Sequence, residues 1–295
     1  MSRFLRTNKA VTTATALTAA AAAGWYFYAR QRPDPSPFAY GPAVVTRSLP
    51  HDTASDTRRL MLTLPAPTMA LVQQSAVPFH FDVKNTDLVV ARSYTPVAVN
   101  PAERTVELLV KKYPIGETGK WMHRQQAGAE MEVCGPLCEW AIPAPPPTAA
   151  ETAILGMIVG GSGATPALQI LDAALGNPEA YPVAHAALAA WPKFSLLYFA
   201  RTPADHWERA ALDKLAAKYP ERLQVKYVTS HEALTPELIQ ATMPSPGQGL
   251  VLVCGPDGLV RTTAGGLGRV YGTQGPLGGL LLALGYNAAE VHKMQ

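Results

Sequence analysis

The sequence predicts a β plus α/β protein, in which an antiparallel β-barrel is followed by a parallel-sheet α/β domain and an N-terminal membrane anchor precedes both. Three observations carry that prediction. Residues 44–136 hold short apolar runs rich in branched side chains, each closed by a turn signal, which is the mark of a small antiparallel barrel. From residue 153 onward strand-like runs alternate with helical stretches, which implies parallel strands joined by crossover helices. Between these halves the prolines of residues 141–152 interrupt every periodicity and mark a junction. The length of 295 residues agrees, because one domain usually holds roughly 100–200.

Composition removes several function classes. With 48% hydrophobic and 16% charged residues, the chain buries a core and does not remain disordered. A mean hydropathy of +0.03 is too low for a protein built of many membrane spans. The net charge of +3 is small, and no Lys/Arg stripe interleaved with aromatics is present, so nucleic acid is not expected as a partner. Cys134, Cys138 and Cys254 cannot alone make a disulfide framework or a four-ligand zinc site, and no metal site is expected.

The elements follow in order. Arg3, Arg6 and Lys9 open the chain and no acid precedes Asp34, as in a mitochondrial presequence. The uncharged residues 10–29 are about long enough to span a bilayer, and they end in the interfacial cluster Trp25, Tyr26, Phe27 and Tyr28. Residues 1–32 are thus read as presequence and transmembrane anchor, and the proline-rich residues 33–43 as a linker. A β domain is expected over 44–140, with strands in 58–64, 88–91 and 106–110; residues 141–152 link it to an α/β domain over 153–295. The parallel strands are expected at 154–159, 194–200, 223–228 and 250–253. Thr165-Pro166 and Thr235-Pro236 each offer a hydroxyl cap with proline at the first helical position, and Asp205 with Glu208 offers a variant capping box.

Residues 154–171 carry the most chemistry. An apolar strand runs into Gly160, Gly161, Ser162 and Gly163 before a helix start at Thr165, so bare N–H groups and a helix dipole converge on a point suited to an anionic diphosphate. The spacing matches neither a GxGxxG fingerprint nor a Walker A loop, and a tight strand-to-helix turn would use the same glycines. Upstream stand RSYTPV, beginning at Arg92, and ELLVKKY, beginning at Glu107; downstream stands VCGP, ending at Pro256. In this order and approximate spacing these motifs resemble the NADH-cytochrome b5 reductase branch of the ferredoxin-NADP reductase superfamily. Residues 51–65 look like that family's opening strand, so the resemblance covers nearly everything from residue 44 onward.

The resemblance implies an oxidoreductase with an FAD-binding β-barrel and an NAD(P)-binding α/β domain, using FAD and NADH, with NADPH possible. Hydride would pass from the nicotinamide to flavin, and electrons singly to a haem protein of the cytochrome b5 or cytochrome c type. Arg92 would pair with the FAD diphosphate, with Ser93 beside it in the motif. Tyr94 would lie along the isoalloxazine, and Thr95 would hydrogen-bond near its reactive edge. Leu109 and Lys111 would offer backbone and charge to flavin and nucleotide, while backbone N–H groups of Thr118 and Gly119 would hold phosphate. Gly161, Ser162 and Gly163 would admit the nicotinamide nucleotide, and Thr165 would touch FAD from the second domain. Cys254, followed by Gly255 and Pro256, would sit against the nicotinamide without acting as a nucleophile. Tyr94, Thr95 and Cys254 are the implied catalytic residues. The cationic start and single span resemble mitochondrial membrane-tethered members, implying a single-pass protein whose body faces the intermembrane space.

The sequence also departs from that family. Gly119 stands where a serine hydroxyl is expected, the turn after Cys254-Gly255-Pro256 reads Asp257-Gly258, and the chain closes on His292-Lys293-Met294-Gln295 without a terminal aromatic. These departures keep two alternatives in view: a mitochondrial flavoprotein that assists haem attachment to cytochrome c, and a flavin-free module that keeps only the fold. Cys134 and Cys138 are spaced too widely for a redox CxxC pair. His51, His80, His123, His185, His206, His231 and His292 show no ligand spacing and read as surface or cap residues. Arg201, just after an expected strand, is a cation that would favour a 2′-phosphate.

Overall fold

In the computed structural model, residues 37–294 are described apart from 86–89, 230–232, 269 and 271–272. The expected presequence, the anchor, the start of the linker and His231 lie outside the described residues. Among the described residues no helix is long and apolar enough to cross a membrane.

Alternation of apolar and polar side chains builds the first sheet. In β2 (Thr57–Thr63) Leu60 and Leu62 point into the core, and in β3 (His80–Asn85) Phe81 and Val83 do so. These strands join β1 (Gly41–Pro50), β4 (Val90–Tyr94), β5 (Ala98–Asn100), β6 (Thr105–Lys111) and β7 (Glu130–Leu137) in the antiparallel order β4-β3-β7-β1-β2-β6-β5. Among the described residues no ladder joins β4 to β5, so the hydrogen-bonded order ends at these two edges. Strand β6 lies between β2 and β5 and is buried almost throughout, which brings Leu109 and Lys111 inward at its end. Helix α1 (Ala66–Gln74) joins β2 to β3, and helix α2 (Glu117–Arg124) joins β6 to β7.

The second sheet is parallel, as the alternation after residue 153 predicts. Strands β8 (Ile154–Gly160), β9 (Lys193–Ala200), β10 (Leu223–Thr229), β11 (Gly249–Cys254) and β12 (Val291–Lys293) stand in the order β10-β9-β8-β11-β12. The crossovers carry α3 (Thr165–Leu171), α4 (Pro182–Leu188), α5 (Arg209–Lys218), α6 (Pro236–Thr242), α7 (Asp257–Ala264) and α8 (Gly279–Ala283). Strands β8 and β11 are continuous apolar runs because both of their faces are covered. The chain moves outward from β8 through β9 to β10, then returns to the other side of β8 as β11. A crevice therefore opens beyond the carboxyl ends of β8 and β11, where α/β sheets bind ligands.

Cap chemistry was only partly legible. Thr235 caps α6 as expected, accepting a hydrogen bond from the Leu238 N–H at 3.2 Å. Thr165 instead occupies the first turn of α3, and its hydroxyl donates to the Ser162 carbonyl at 3.2 Å, steadying the glycine turn. Asp205 does not cap α5: its carboxylate accepts from the Thr202 N–H at 3.2 Å and from the Thr202 hydroxyl at 2.8 Å, closing a box one turn earlier. The histidines also depart from the surface expectation. His206 is 2% exposed, with Nε2 3.1 Å from the Tyr198 carbonyl and 3.2 Å from that of Val228.

Both sheets lie within one compact unit, Pro37–Gln295, and polar contacts tie them together. The Gln169 side chain of α3 is fully buried; its Oε1 accepts from the Phe79 N–H at 2.8 Å and its Nε2 donates to the Phe79 carbonyl at 3.2 Å. On another flank Arg59 of β2 pairs with both Glu107 and Glu208, and His51 Nε2 lies 3.6 Å from Glu208. Glu208 adopts a left-handed backbone (φ 56°), a conformation that costs about 1–2 kcal/mol outside glycine. Burial alone would raise the Glu208 carboxyl, but the adjacent His51 ring and the hydrogen-bonded charge of Arg59 outweigh it and hold the group below its ordinary 4.5. A depressed acid favours the folded state above its unfolded value and loses that advantage as pH falls through its folded value. Thermal stability is therefore expected to drop on acidification below about pH 4.5, and Glu208→Gln to flatten that drop. Equal acid slopes in melting curves of the two proteins would contradict this.

Candidate active site

A cleft of about 1130 Å³ opens at the switch point, between the two sheets. Strand β4 delivers Arg92, Ser93 and Tyr94 to it, with Thr95 following, and β6 delivers Leu109 and Lys111. The start of α2 adds Thr118 and Gly119. From the second sheet come Ser162, Gly163 and Thr165 after β8, and Cys254, Gly255 and Pro256 after β11. Gly161 alone among the expected residues does not line the cleft. Its left-handed φ of 55° turns the chain, and a Cβ there would meet nothing within 4 Å.

The electrostatics differ from group to group. Arg92 is exposed and donates to the Ala91 carbonyl at 2.7 Å; among the described residues its guanidinium has no carboxylate partner. The Ser93 hydroxyl is spent on Asp82 at 2.7 Å. Burial pushes the Tyr94 phenol up to about 12, with Arg92 opposing and Tyr113 reinforcing the shift. The Lys111 ammonium lies 3.3 Å from Asp56 and 3.6 Å from Asp205, so two carboxylates already balance its charge. Burial pushes the Cys254 thiol up to about 12, which keeps it protonated and excludes a resting thiolate nucleophile.

Close packing explains two glycines. A Cβ on Gly163 would lie 2.6 Å from Gly255 Cα and N, so the turns after β8 and β11 meet backbone to backbone. A Cβ on Gly119 would lie 2.8 Å from the Lys111 carbonyl. Glycine in the place of the expected serine is thus a packing requirement. With Gly116 at the N-cap, the α2 terminus has no side-chain cap, and its first N–H groups are available to an anion.

Other residues were missed. The Tyr113 hydroxyl meets the Ser162 hydroxyl at 2.7 Å across the cleft, and Ile115, 92% exposed, projects beside it. Tyr113 was within reach as the last residue of ELLVKKY. Met294 lines the cleft from beyond β12, at the end of the chain that lacks a terminal aromatic. Arg201 has a 71% exposed side chain 3.7 Å from Asp56 and does not line the cleft. Cys134 is buried, with its thiol on the Pro37 carbonyl at 3.2 Å, while Cys138 is exposed.

The donor set fits FAD and a nicotinamide nucleotide. An unpaired arginine and an uncapped helix start face one side of the cleft, and a glycine turn at the head of a parallel strand faces the other. A division of one sheet per anionic cofactor is the construction of flavin-dependent nicotinamide-nucleotide oxidoreductases. Residues 48–142 match the oxidoreductase FAD-binding domain and residues 157–265 the oxidoreductase NAD-binding domain. NADH-cytochrome b5 reductase 2 of Scheffersomyces stipitis is 30% identical over 256 residues, covering 82% of this chain and 80% of that protein. Its namesake from Phaeosphaeria nodorum is 29% identical over 252 residues, covering 81% of this chain and 70% of that one. The chain belongs to the NADH-cytochrome b5 reductase family, within the ferredoxin-NADP reductase superfamily, and is an oxidoreductase using FAD and NAD(P)H. Solved structures agree on the fold. The cytochrome b5 reductase domain of Ulva prolifera nitrate reductase superposes with a TM-score of 0.64 at 19% identity, covering 89% of this chain and all of that one. A ferredoxin NADP+ reductase from Neisseria gonorrhoeae with bound FAD and NADP gives 0.58 at 16% identity, covering 86% and 98%.

Proposed function

We propose that this chain takes hydride from NADH and passes electrons singly to a haem-protein acceptor of the cytochrome b5 or cytochrome c type, from a mitochondrial membrane to which its N-terminal segment tethers it. The observation that carries the catalytic reading is the meeting of β4, β6, the glycine turn and Cys254 around one cleft. The tether and location rest on the cationic start of residues 1–9 and the uncharged run of residues 10–29.

FAD supplies the conversion of a two-electron donor into a one-electron source; the protein supplies orientation and electrostatics. Arg92 and the N–H groups of Thr118 and Gly119 would hold its diphosphate. Tyr94 and Thr95 would border the isoalloxazine, and Leu109 would present backbone to it. Lys111, already balanced by Asp56 and Asp205, holds the end of β6 in place and lends less charge to a nucleotide than a lone lysine would. Ser162 and Gly163 would receive the nicotinamide nucleotide, and the protonated Cys254 would pack against its ring. The Tyr113–Ser162 hydrogen bond stands beside the place that nucleotide would take.

The deciding measurement is the visible spectrum of the purified chain after reconstitution with FAD, followed by bleaching with NADH and with NADPH. Flavin absorption that NADH bleaches supports the reading; no flavin absorption leaves only the fold. Arg92→Ala is expected to weaken FAD binding roughly ten- to hundredfold, because a charge-assisted hydrogen bond contributes about 1.5–3 kcal/mol. An unchanged FAD titration would remove Arg92 from the diphosphate site.

A further inference from the structure

Lys293, the last residue of β12, is only 2% exposed, a rare place for a lysine unless its charge is met. Among the described residues no carboxylate pairs with it. Its ammonium donates instead to three carbonyls, of Gly266 at 2.8 Å, Pro276 at 3.0 Å and Gly275 at 3.3 Å, which matches the three N–H donors of the group one for one. These carbonyls come from the two limbs of the glycine-rich connection between α7 and α8, Gly266 from the outgoing limb and Gly275 with Pro276 from the returning one. One cation therefore ties both limbs to the edge of the second sheet.

The limbs lie too close for any other tie. Gly275 is left-handed (φ 60°), and a Cβ there would lie 2.8 Å from the Gly266 carbonyl oxygen and 2.9 Å from the Gly268 nitrogen. The Gly268 N–H donates to the Thr273 carbonyl at 2.8 Å. On the returning limb the Gln274 side chain pairs with the backbone of Lys293 itself: its Oε1 accepts from the N–H at 2.7 Å and its Nε2 donates to the carbonyl at 2.9 Å. Without the ammonium, three converging and partly buried carbonyls would lose their donor, a cost that favours another shape for the connection. The same connection reaches the cofactors. Leu267 and Gly268, next in the chain after Gly266, line the cleft together with Cys254, Gly255, Pro256 and Met294.

We propose that Lys293 is a positioning residue for the nicotinamide nucleotide: by gathering the carbonyls of Gly266, Gly275 and Pro276, its ammonium sets Leu267 and Gly268 as the wall of the cleft on the side of the second sheet. The inference rests on the reading that NADH occupies that side. Lys293 touches neither cofactor in this role and moves no proton or electron. It acts through the connection alone, so its loss is felt as weaker nucleotide binding, with the chemistry of the bound nucleotide largely kept.

The test uses the full chain loaded with FAD and follows flavin bleaching by stopped flow over a range of NADH concentrations. Lys293→Met keeps the length and the apolar stem of the side chain without its charge. It is expected to raise the apparent Kd for NADH roughly tenfold, while the limiting rate stays within about threefold and the FAD titration within about twofold of the parent. Lys293→Ala leaves room for a small amine. Added propylammonium is expected to restore at least about half of the lost NADH affinity, and tetramethylammonium, which has the charge but no N–H, to restore none. An unchanged Kd in Lys293→Met, a loss of FAD affinity as large as that of NADH, or equal effects of the two amines would each overturn the proposal. Should neither lysine variant fold, Leu267→Ala decides: it leaves the carbonyls and their ammonium intact, and an NADH affinity equal to that of the parent would show that this wall does not touch the nucleotide. Failure of the NADH reading shows separately, as a parent protein whose flavin NADH does not bleach.

Discussion

Gly163→Ala is expected to cut the rate of flavin reduction by NADH about a hundredfold or more while the flavin stays bound. The added methyl carbon would lie 2.6 Å from two backbone atoms of Gly255 and 2.7 Å from the Cys254 carbonyl carbon. Neither turn has a flexible side chain to yield, so the carboxyl ends of β8 and β11 must separate or the glycine turn must rotate. Either movement displaces the surfaces against which the nicotinamide rests, and a misplacement of about 1 Å costs on the order of a hundredfold in rate. The diphosphate side of the flavin site, built from Arg92 and α2, lies on the other sheet and is untouched. Stopped-flow bleaching with NADH, beside an FAD titration, measures both quantities. Gly161→Ala is the control: two residues away it meets left-handed backbone strain of about 1–2 kcal/mol but no clash. If Gly163→Ala reduces its flavin no more slowly than Gly161→Ala, the crevice is not where the nucleotide reacts.

Gln169→Leu is expected to lower the folding stability by about 2–6 kcal/mol, because it leaves both the N–H and the C=O of Phe79 buried without a partner, at about 1–3 kcal/mol each. Phe79 is 1% exposed, so water cannot readily replace the lost amide. The same change is expected to loosen the segment that carries His80 to the edge of the cleft. Midpoints of urea unfolding measure the loss, and a shift equivalent to less than 1 kcal/mol would mean that the segment is held by packing alone. Gln169→Glu tests the pairing more finely, since a carboxylate cannot donate to the Phe79 carbonyl and adds a buried charge.

What the sequence made legible follows the reach of each interaction. The strands around Leu60, Leu109 and Val251 could be read because their side chains repeat with a period of two or form unbroken apolar runs. The cleft could be read because its residues come in short consecutive motifs, from Arg92 to Thr95 and from Ser162 to Thr165. Gly119 misled because its reason lies on another element, in the carbonyl of Lys111. His206 misled for the same kind of reason, since its acceptors belong to β9 and β10. Thr165 misled because its hydroxyl serves the turn before the helix and not the helix N–H groups. The pairing of Gln169 with Phe79, residues far apart in the chain, leaves no local trace at all.

The ladder of the first sheet has a consequence for biosynthesis. All of its described pairings fall between Gly41 and Leu137, so its last partner is synthesised before any strand of the second sheet. Arg92, Tyr94 and the α2 terminus are therefore translated as a complete set, while the glycine turn and Cys254 arrive in two later instalments. Vectorial synthesis thus completes the first-sheet face of the cleft well before the face that Cys254 completes.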